Sequence, residues 1–282
     1  MKGIETQNLN KTYGEVCALQ DINLKFENEK IYGLLGRNGA GKTTLLNLIS
    51  NRIFPSSGEV QVDGETALEN DNAQRKIYMM GEKNYYPQGM KIRQIFKWTQ
   101  EFYPSFDMDY ALNLAEEFGL DITKRVKALS TGYASILKLI IALSVNIPYV
   151  LLDEPVLGLD ANHRQLFYET LLRNYDEQPK TFVISTHLID EVANVIEDII
   201  IIDQGKILKN QPCEELLSQG YTVSGNVATI DSYIADKEVI GCDSLGGLKT
   251  AYILGTVNKG QLPAGLEVSK LDLQKLFIQL TK

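Results

Sequence analysis

Gly36-Arg37-Asn38-Gly39-Ala40-Gly41-Lys42-Thr43-Thr44 decides the fold of this chain. Its spacing is that of a phosphate-binding P-loop, G-x-x-x-x-G-K-[ST]. Glycines let successive backbone N–H groups turn inward around phosphate oxygens, and a helix that follows aims its positive end at the same point. Lys42 supplies a point charge for β- and γ-phosphates, and the Thr43 hydroxyl is a ligand for Mg2+. The flanks suit such a loop. Upstream, Ile31-Tyr32-Gly33-Leu34-Leu35 is an apolar run of strand length; downstream, Leu45, Leu46, Leu48 and Ile49 form a helical pattern that stops before Pro55.

Further along, Val150-Leu151-Leu152-Asp153-Glu154-Pro155 is an apolar strand ending in two carboxylates. Alone, these would be ordinary solvated acids. Behind a P-loop they become the second half of a nucleotide site, with Asp153 reaching Mg2+ through water and Glu154 serving as general base toward an attacking water. Tyr149–Leu152 and Phe182–Ser185 have the continuous apolar character of strands buried on both faces of a parallel sheet. His187 follows the second of them. A lone histidine is usually structural, but one at such a strand end can bond a γ-phosphate and hold Glu154 and the water in register. His163, within a helical run, is assigned to surface or packing. Leu129-Ser130-Thr131-Gly132-Tyr133 opens the helix predicted over Ala134–Val145; its serine and glycine make an N-cap with free N–H groups, a second anion site or a mere cap.

With 282 residues and 44% hydrophobic composition the chain can bury a full core. A net charge of −8 argues against a nucleic-acid partner. No apolar run reaches the roughly 18–20 residues needed to span a bilayer, and Met1–Glu5 lacks the apolar stretch of a signal peptide. Cys17, Cys213 and Cys242 have no metal-like spacing and read as reduced thiols of a cytosolic protein. The opening reads as short strands, with Ile22, Leu24 and Phe26 alternating, and Ile199–Leu208 as a hairpin turning at Gln204-Gly205. From about residue 87 to 145 helical periodicity and aromatics (Phe96, Trp98, Phe102, Tyr103) suggest a helical insert. After Gly220 short strand-like pieces surround two helical ones. Two domains are therefore expected: 1–219, and a small α+β appendage over 220–282 with its own modest core.

In this order, the P-loop, the segment Leu129–Tyr133, the Asp153-Glu154 strand end, the turn Gly158-Leu159-Asp160 and His187 resemble the ATP-binding cassette (ABC) family, over Met1 to about Asn210. The resemblance implies an α/β P-loop NTPase fold with an antiparallel β-subdomain and a helical subdomain. It implies a transporter's ATPase subunit, paired with a like or related subunit around two ATP with Mg2+. A separate integral membrane permease would be driven from the cytoplasmic, inner face of the cell membrane. By the same likeness Gly36 through Thr44 bind nucleotide, Tyr13 stacks on adenine, and Ser130 and Gly132 contact the γ-phosphate of ATP held by the second subunit. Asp160 lies at the dimer seam, Glu154 and His187 are catalytic, and Thr43, Glu82 and Asp153 face the metal.

Departures from the family pattern are visible. Glu82 takes the place of a usual glutamine, with Gln88 as the other candidate; Thr131, Tyr133 and Lys138 replace the usual glycine, glutamine and arginine. The ending Leu271–Phe277 and the segment Tyr103–Asp107 look like those of bacterial peptide or antibiotic exporters. A soluble family member in translation or repair is the alternative; such members carry a second cassette or a long coiled coil, absent here. A sensor that does not hydrolyse would not need Glu154 and His187.

Overall fold

The computed structural model describes residues 2–258 and 262–281. It opens with an antiparallel hairpin, β1 (Gly3–Tyr13) and β2 (Val16–Glu27). Ile22, Leu24 and Phe26 are its buried row, while Asn23 and Lys25 between them face water. These strands are longer than the short pieces expected. Register shifts between Thr6 and Leu9 and again near Lys11 let them stay paired through polar stretches.

β3 (Ile31–Leu35) runs into the glycine loop and α1 (Lys42–Ile49) leaves it. β4 (Ser57–Val62) returns beside β1, β5 (Glu65–Thr66) adds an edge, and the one-turn α2 (Asp71–Gln74) leads to β6 (Ile77–Met80). Then come the helices of the insert: α3 (Ile92–Phe102), α4 (Met108–Glu117) and α5 (Thr131–Ser144). β7 (Tyr149–Asp153), α6 (Ala161–Glu177), β8 (Thr181–Thr186), α7 (Ile189–Val192), β9 (Asp198–Asp203) and β10 (Lys206–Pro212) complete the domain.

Six strands form the central sheet in the order β10-β9-β3-β8-β7-β6, parallel except for the β9–β10 hairpin. That hairpin turns through Gln204 and Gly205, both at positive φ (46° and 74°), as a two-residue primed turn requires. Period-two alternation sorts the strands' side chains between two cores. Leu35, Val150, Leu152, Phe182 and Ile184 face the helices of the insert, whereas Leu34, Tyr149, Leu151 and Val183 face α1 and the β1–β2–β4 sheet. Every residue of α5 from Ser135 to Ser144 is buried, so this helix is enclosed all round, with Lys138 as its one charged side chain. Each fully buried leucine in it contributes about 1.5–3 kcal/mol by transfer from water.

α8 (Cys213–Ser218) leads into the tail, which holds β11 (Gly220–Asn226), α9 (Val227–Ile234), β12 (Glu238–Leu245), β13 (Leu248–Leu254), β14 (Glu267–Lys270) and α10 (Leu273–Leu280). Its sheet is antiparallel, ordered β12-β13-β11-β14. Tyr221, Val223, Ile230, Ala251, Ile253 and Leu266 form a small core of its own. The tail is also joined to the main domain. Tyr252, on the opposite face of β13 from Ala251 and Ile253, joins Leu271, Leu273, Leu276 and Phe277 in the main core. The amphipathic α10 buries its apolar stripe there, between α7 and the β12–β13 side of the tail sheet.

Candidate active site

The loop after β3 is shaped by backbone constraints. Gly41 caps α1 at φ +112°, and a Cβ there would lie 2.7 Å from Leu19 Cδ2 and 2.9 Å from the Ala18 carbonyl oxygen, so neither conformation nor space admits a side chain. The β9–β10 turn braces it from outside: Gly205 N donates to Ala40 O (3.0 Å) and Gln20 N to Gly205 O (2.8 Å). Lys42 is buried, donating from Nζ to Gly36 O at 2.7 Å and lying 3.6 Å from Glu154 Oε1. Around the loop is a cavity of about 220 Å3 lined by residues Arg37 to Thr44 together with Ala18, Glu82 and Glu154. This is below the roughly 300–1,000 Å3 of typical ligand pockets.

At the end of β7 the two carboxylates part company. Asp153 is 2% exposed and accepts from Thr43 Oγ1 (2.8 Å, at Oδ2) and Ser185 Oγ (3.0 Å, at Oδ1). Burial pushes its carboxyl up from the usual range, opposed by these two hydroxyls, which favour the anion. Glu154 sits at φ +49°, a left-handed conformation costly for a non-glycine residue, and its N–H is fastened to Ser185 O at 2.8 Å. This turn swings its carboxylate away from the strand direction to meet Lys42 through Oε1 and His187 Nδ1 through Oε2, the latter at 2.9 Å. An ionised carboxylate only accepts, so the histidine proton lies on Nδ1 and leaves Nε2 an acceptor when the ring is neutral.

The loop after β6 brings one of its two candidate side chains to the cavity. Glu82 lines it; Gln88 is exposed, and its carbonyl accepts from Lys127 N at 3.0 Å. Lys138 of α5 pins the loop by donating to Gly81 O (2.9 Å) and Glu82 O (2.6 Å). Burial lowers the affinity of this amine for its proton, against the pull of Glu82 and Asp153. Glu82→Ala is therefore expected to slow ATP hydrolysis by about tenfold while Gln88→Ala leaves it within about twofold. Steady-state turnover of the two variants checks this, and equal effects would reverse the assignment.

Ser130 and Gly132 lie outside that cavity's lining, as do Tyr13 and Asp160. Ser130 caps α5, its Oγ accepting from Tyr133 N at 3.3 Å, and the helix starts at Thr131, three residues before the predicted Ala134. A Cβ on Gly132 would stand 2.9 Å from the Gly158 carbonyl oxygen. Only glycine lets α5 dock so tightly on the Gly158–Asp160 turn, where Ser135 Oγ also donates to Leu157 O at 3.0 Å. Asp160 caps α6, accepting from His163 N and bonding His163 Nδ1, both at 2.9 Å. Those contacts hold its carboxyl below the usual range. His163 also lies near the Phe118 and Tyr133 rings, as expected of a packing residue. Tyr13, half-exposed at the end of β1, carries the Lys11 ammonium 4.9 Å from its ring centre. Ser185 and Lys138 were not assigned site roles from sequence. Their positions follow from strand register, Asp153 beside Ser185, and from helix packing, which no local motif encodes.

Comparison with known proteins agrees with this geometry. A family profile described as "ABC transporter" matches residues 19–157. The ABC transporter ATP-binding protein YtrB of Bacillus subtilis is 30% identical over 76% of this chain and 73% of its own length. The bacitracin transport ATP-binding protein BcrA of Enterococcus faecalis is 32% identical over 76% and 70%. Among solved structures, a dimeric ATP-binding cassette in a post-hydrolysis state bound to ADP and Pi aligns with a TM-score of 0.66 at 25% identity, covering 74% of this chain and 98% of that one. An ATP-binding subunit of an ABC transporter aligns at TM-score 0.69 with 18% identity, over 76% and 92%. The central sheet, the Lys42–Glu154–His187 cluster and these likenesses converge: the chain belongs to the ABC transporter family, as an ATP-binding subunit with ATPase activity.

Proposed function

We propose that this chain hydrolyses ATP as one member of a head-to-tail pair at the cytoplasmic face of the membrane, driving export through a separate permease. The carrying observation is that the parts of a phosphate site are divided: Lys42, Thr43, Glu82 and Glu154 line one cavity, with Asp153 bonded to Thr43 behind it, and Ser130 and Gly132 lie outside its lining. A second chain would bring the missing half, in line with the dimeric relative that holds ADP and Pi. Within the site Lys42 would bind phosphate, Glu154 would take the proton from the attacking water, and His187 would hold Glu154 Oε2 and leave Oε1 for that proton. Thr43, Asp153 and Glu82 present only oxygen donors, the set suited to Mg2+ beside phosphate and water. These residues would hold the ion, which when bound offsets phosphate charge. Residues 1–219 would carry this chemistry and 220–282 would be an addition to it.

An apolar groove of about 560 Å3 in the helical insert supports the permease assignment. Tyr85, Trp98 and Phe102 line it and stay 76%, 51% and 77% exposed, a patch of the kind that marks a protein contact. Among the described residues no helix is long and apolar enough to cross a membrane, so the transmembrane path would belong to the partner. Trp98→Asp should release the chain from membranes holding that partner by about tenfold or more while the isolated chain still hydrolyses ATP; retention on the membrane would refute the groove's role. Export is favoured by the bacitracin transport relative, and import by the petrobactin import protein YclP of Bacillus subtilis at 28% identity. Cells whose only copy carries Lys42→Ala should become more sensitive to bacitracin; unchanged sensitivity with lost petrobactin uptake would assign import.

A further inference from the structure

We propose that α10, the last helix of the tail, positions the hydrolytic site by holding α7 and, through it, His187; this rests on the reading of His187 and Glu154 as the hydrolytic pair. α7 begins two residues after His187, spans only Ile189–Val192 and has no side-chain cap. So short a helix is not stable by itself. What keeps it in place is packing: Ile189 and Val192 are buried in the main core with Leu273, Leu276 and Phe277 of α10, and the two helices are in contact.

A polar clamp adds to that packing. With its amide turned to satisfy both partners, Gln274 donates to both carboxylate oxygens of Asp190 on α7. The charged groups facing Asp190 are Asp272 and Lys275, both from the tail; burial and then Asp272 push its carboxyl up, and Lys275 opposes. Asp272 is itself fixed as the cap of α10, accepting from Lys275 N at 2.8 Å. At its far end the same helix reaches the P-loop. Thr281 O accepts from Arg37 Nη1 at 3.3 Å, and Arg37 O lies 3.5 Å from Lys42 Nζ. One helix of the tail therefore touches the segments on both sides of the Lys42–Glu154–His187 cluster. The His187 side chain itself is 41% exposed and bonded to Glu154 Oε2.

The test uses the purified full chain and compares steady-state ATP turnover of wild type, Gln274→Glu, Gln274→Lys, Gln274→Leu and His187→Ala. Gln274→Glu sets a like charge against Asp190, so kcat should fall about fivefold with KM for ATP kept within about twofold. The loss should shrink as pH is lowered from about 8 to about 5.5, because a proton shared by the two carboxyls removes the repulsion. Gln274→Lys re-pairs Asp190 and should keep kcat within about twofold of wild type. Should Gln274→Glu fail to fold, Gln274→Leu serves, losing the clamp without added charge; about a threefold fall in kcat at constant KM is expected. Unchanged kcat in Gln274→Glu, or in Gln274→Leu where that variant serves, overturns the proposal, as does equal loss in the two charged variants without pH relief. Near-normal turnover in His187→Ala would instead overturn the reading of the site itself.

Discussion

Mixing a Ser130→Arg chain with a Lys42→Ala chain should restore ATP hydrolysis that neither shows alone. Lys42→Ala removes the buried ammonium that now bonds Gly36 O, and with it the charge meant for phosphate. Ser130→Arg puts a long cation at the N-terminus of α5 and loses the cap bond to Tyr133 N, so the second anion-binding edge is blocked. In a two-fold pair each contact is repeated, and each proposed composite site would take its parts from different chains. A mixed pair then has one site with both lesions and one with none. Recovery toward half the wild-type rate per pair is expected, measured as phosphate release across mixing ratios. Cooperation between the two sites would lower that value without abolishing it. Strong hydrolysis by either variant alone would show that a single chain completes its own site.

Glu154→Gln is expected to lower turnover by about a hundredfold or more while leaving ATP binding intact. The amide keeps the side chain's size at the left-handed position after Asp153 and can still meet His187, but it has no basic oxygen to take a proton from water. It also removes the negative partner 3.6 Å from Lys42, so nucleotide affinity should not weaken. With assembly intact and hydrolysis blocked, the variant should accumulate as an ATP-bound pair, visible as a doubled mass in size-exclusion chromatography with ATP and not with ADP. Near-normal turnover would place the base elsewhere.

The parts of the site that could be read along the chain are those whose chemistry is local. The P-loop needs consecutive residues to surround a phosphate, and Asp153-Glu154 needs only the end of an apolar strand. His187 was legible at the end of a second such strand. Glu82 against Gln88 was not decidable in the same way, because the choice depends on where Lys138, 56 positions away, fastens the loop. Ser185 escaped for a related reason: its hydroxyl matters only once β8 lies beside β7 in the register that pairs it with Asp153. The length of β1 and β2 was underestimated because bulges interrupt the alternation that marks a strand.

By itself the sequence determined that a phosphate-binding loop joins a buried strand to a helix, that two further strand ends carry acids and a histidine, and that a helical insert and a distinct tail follow. Local spacing suffices for these, since backbone geometry converts it directly into shared faces and strand ends. Only the tertiary structure decided that Thr43 bonds Asp153 110 residues away, that Gly132 is pressed onto the Gly158 carbonyl, and that α10 packs against α7 as well as against its own sheet. An amphipathic helix specifies that one face must leave water; which surface receives it is set by the packing of the whole chain.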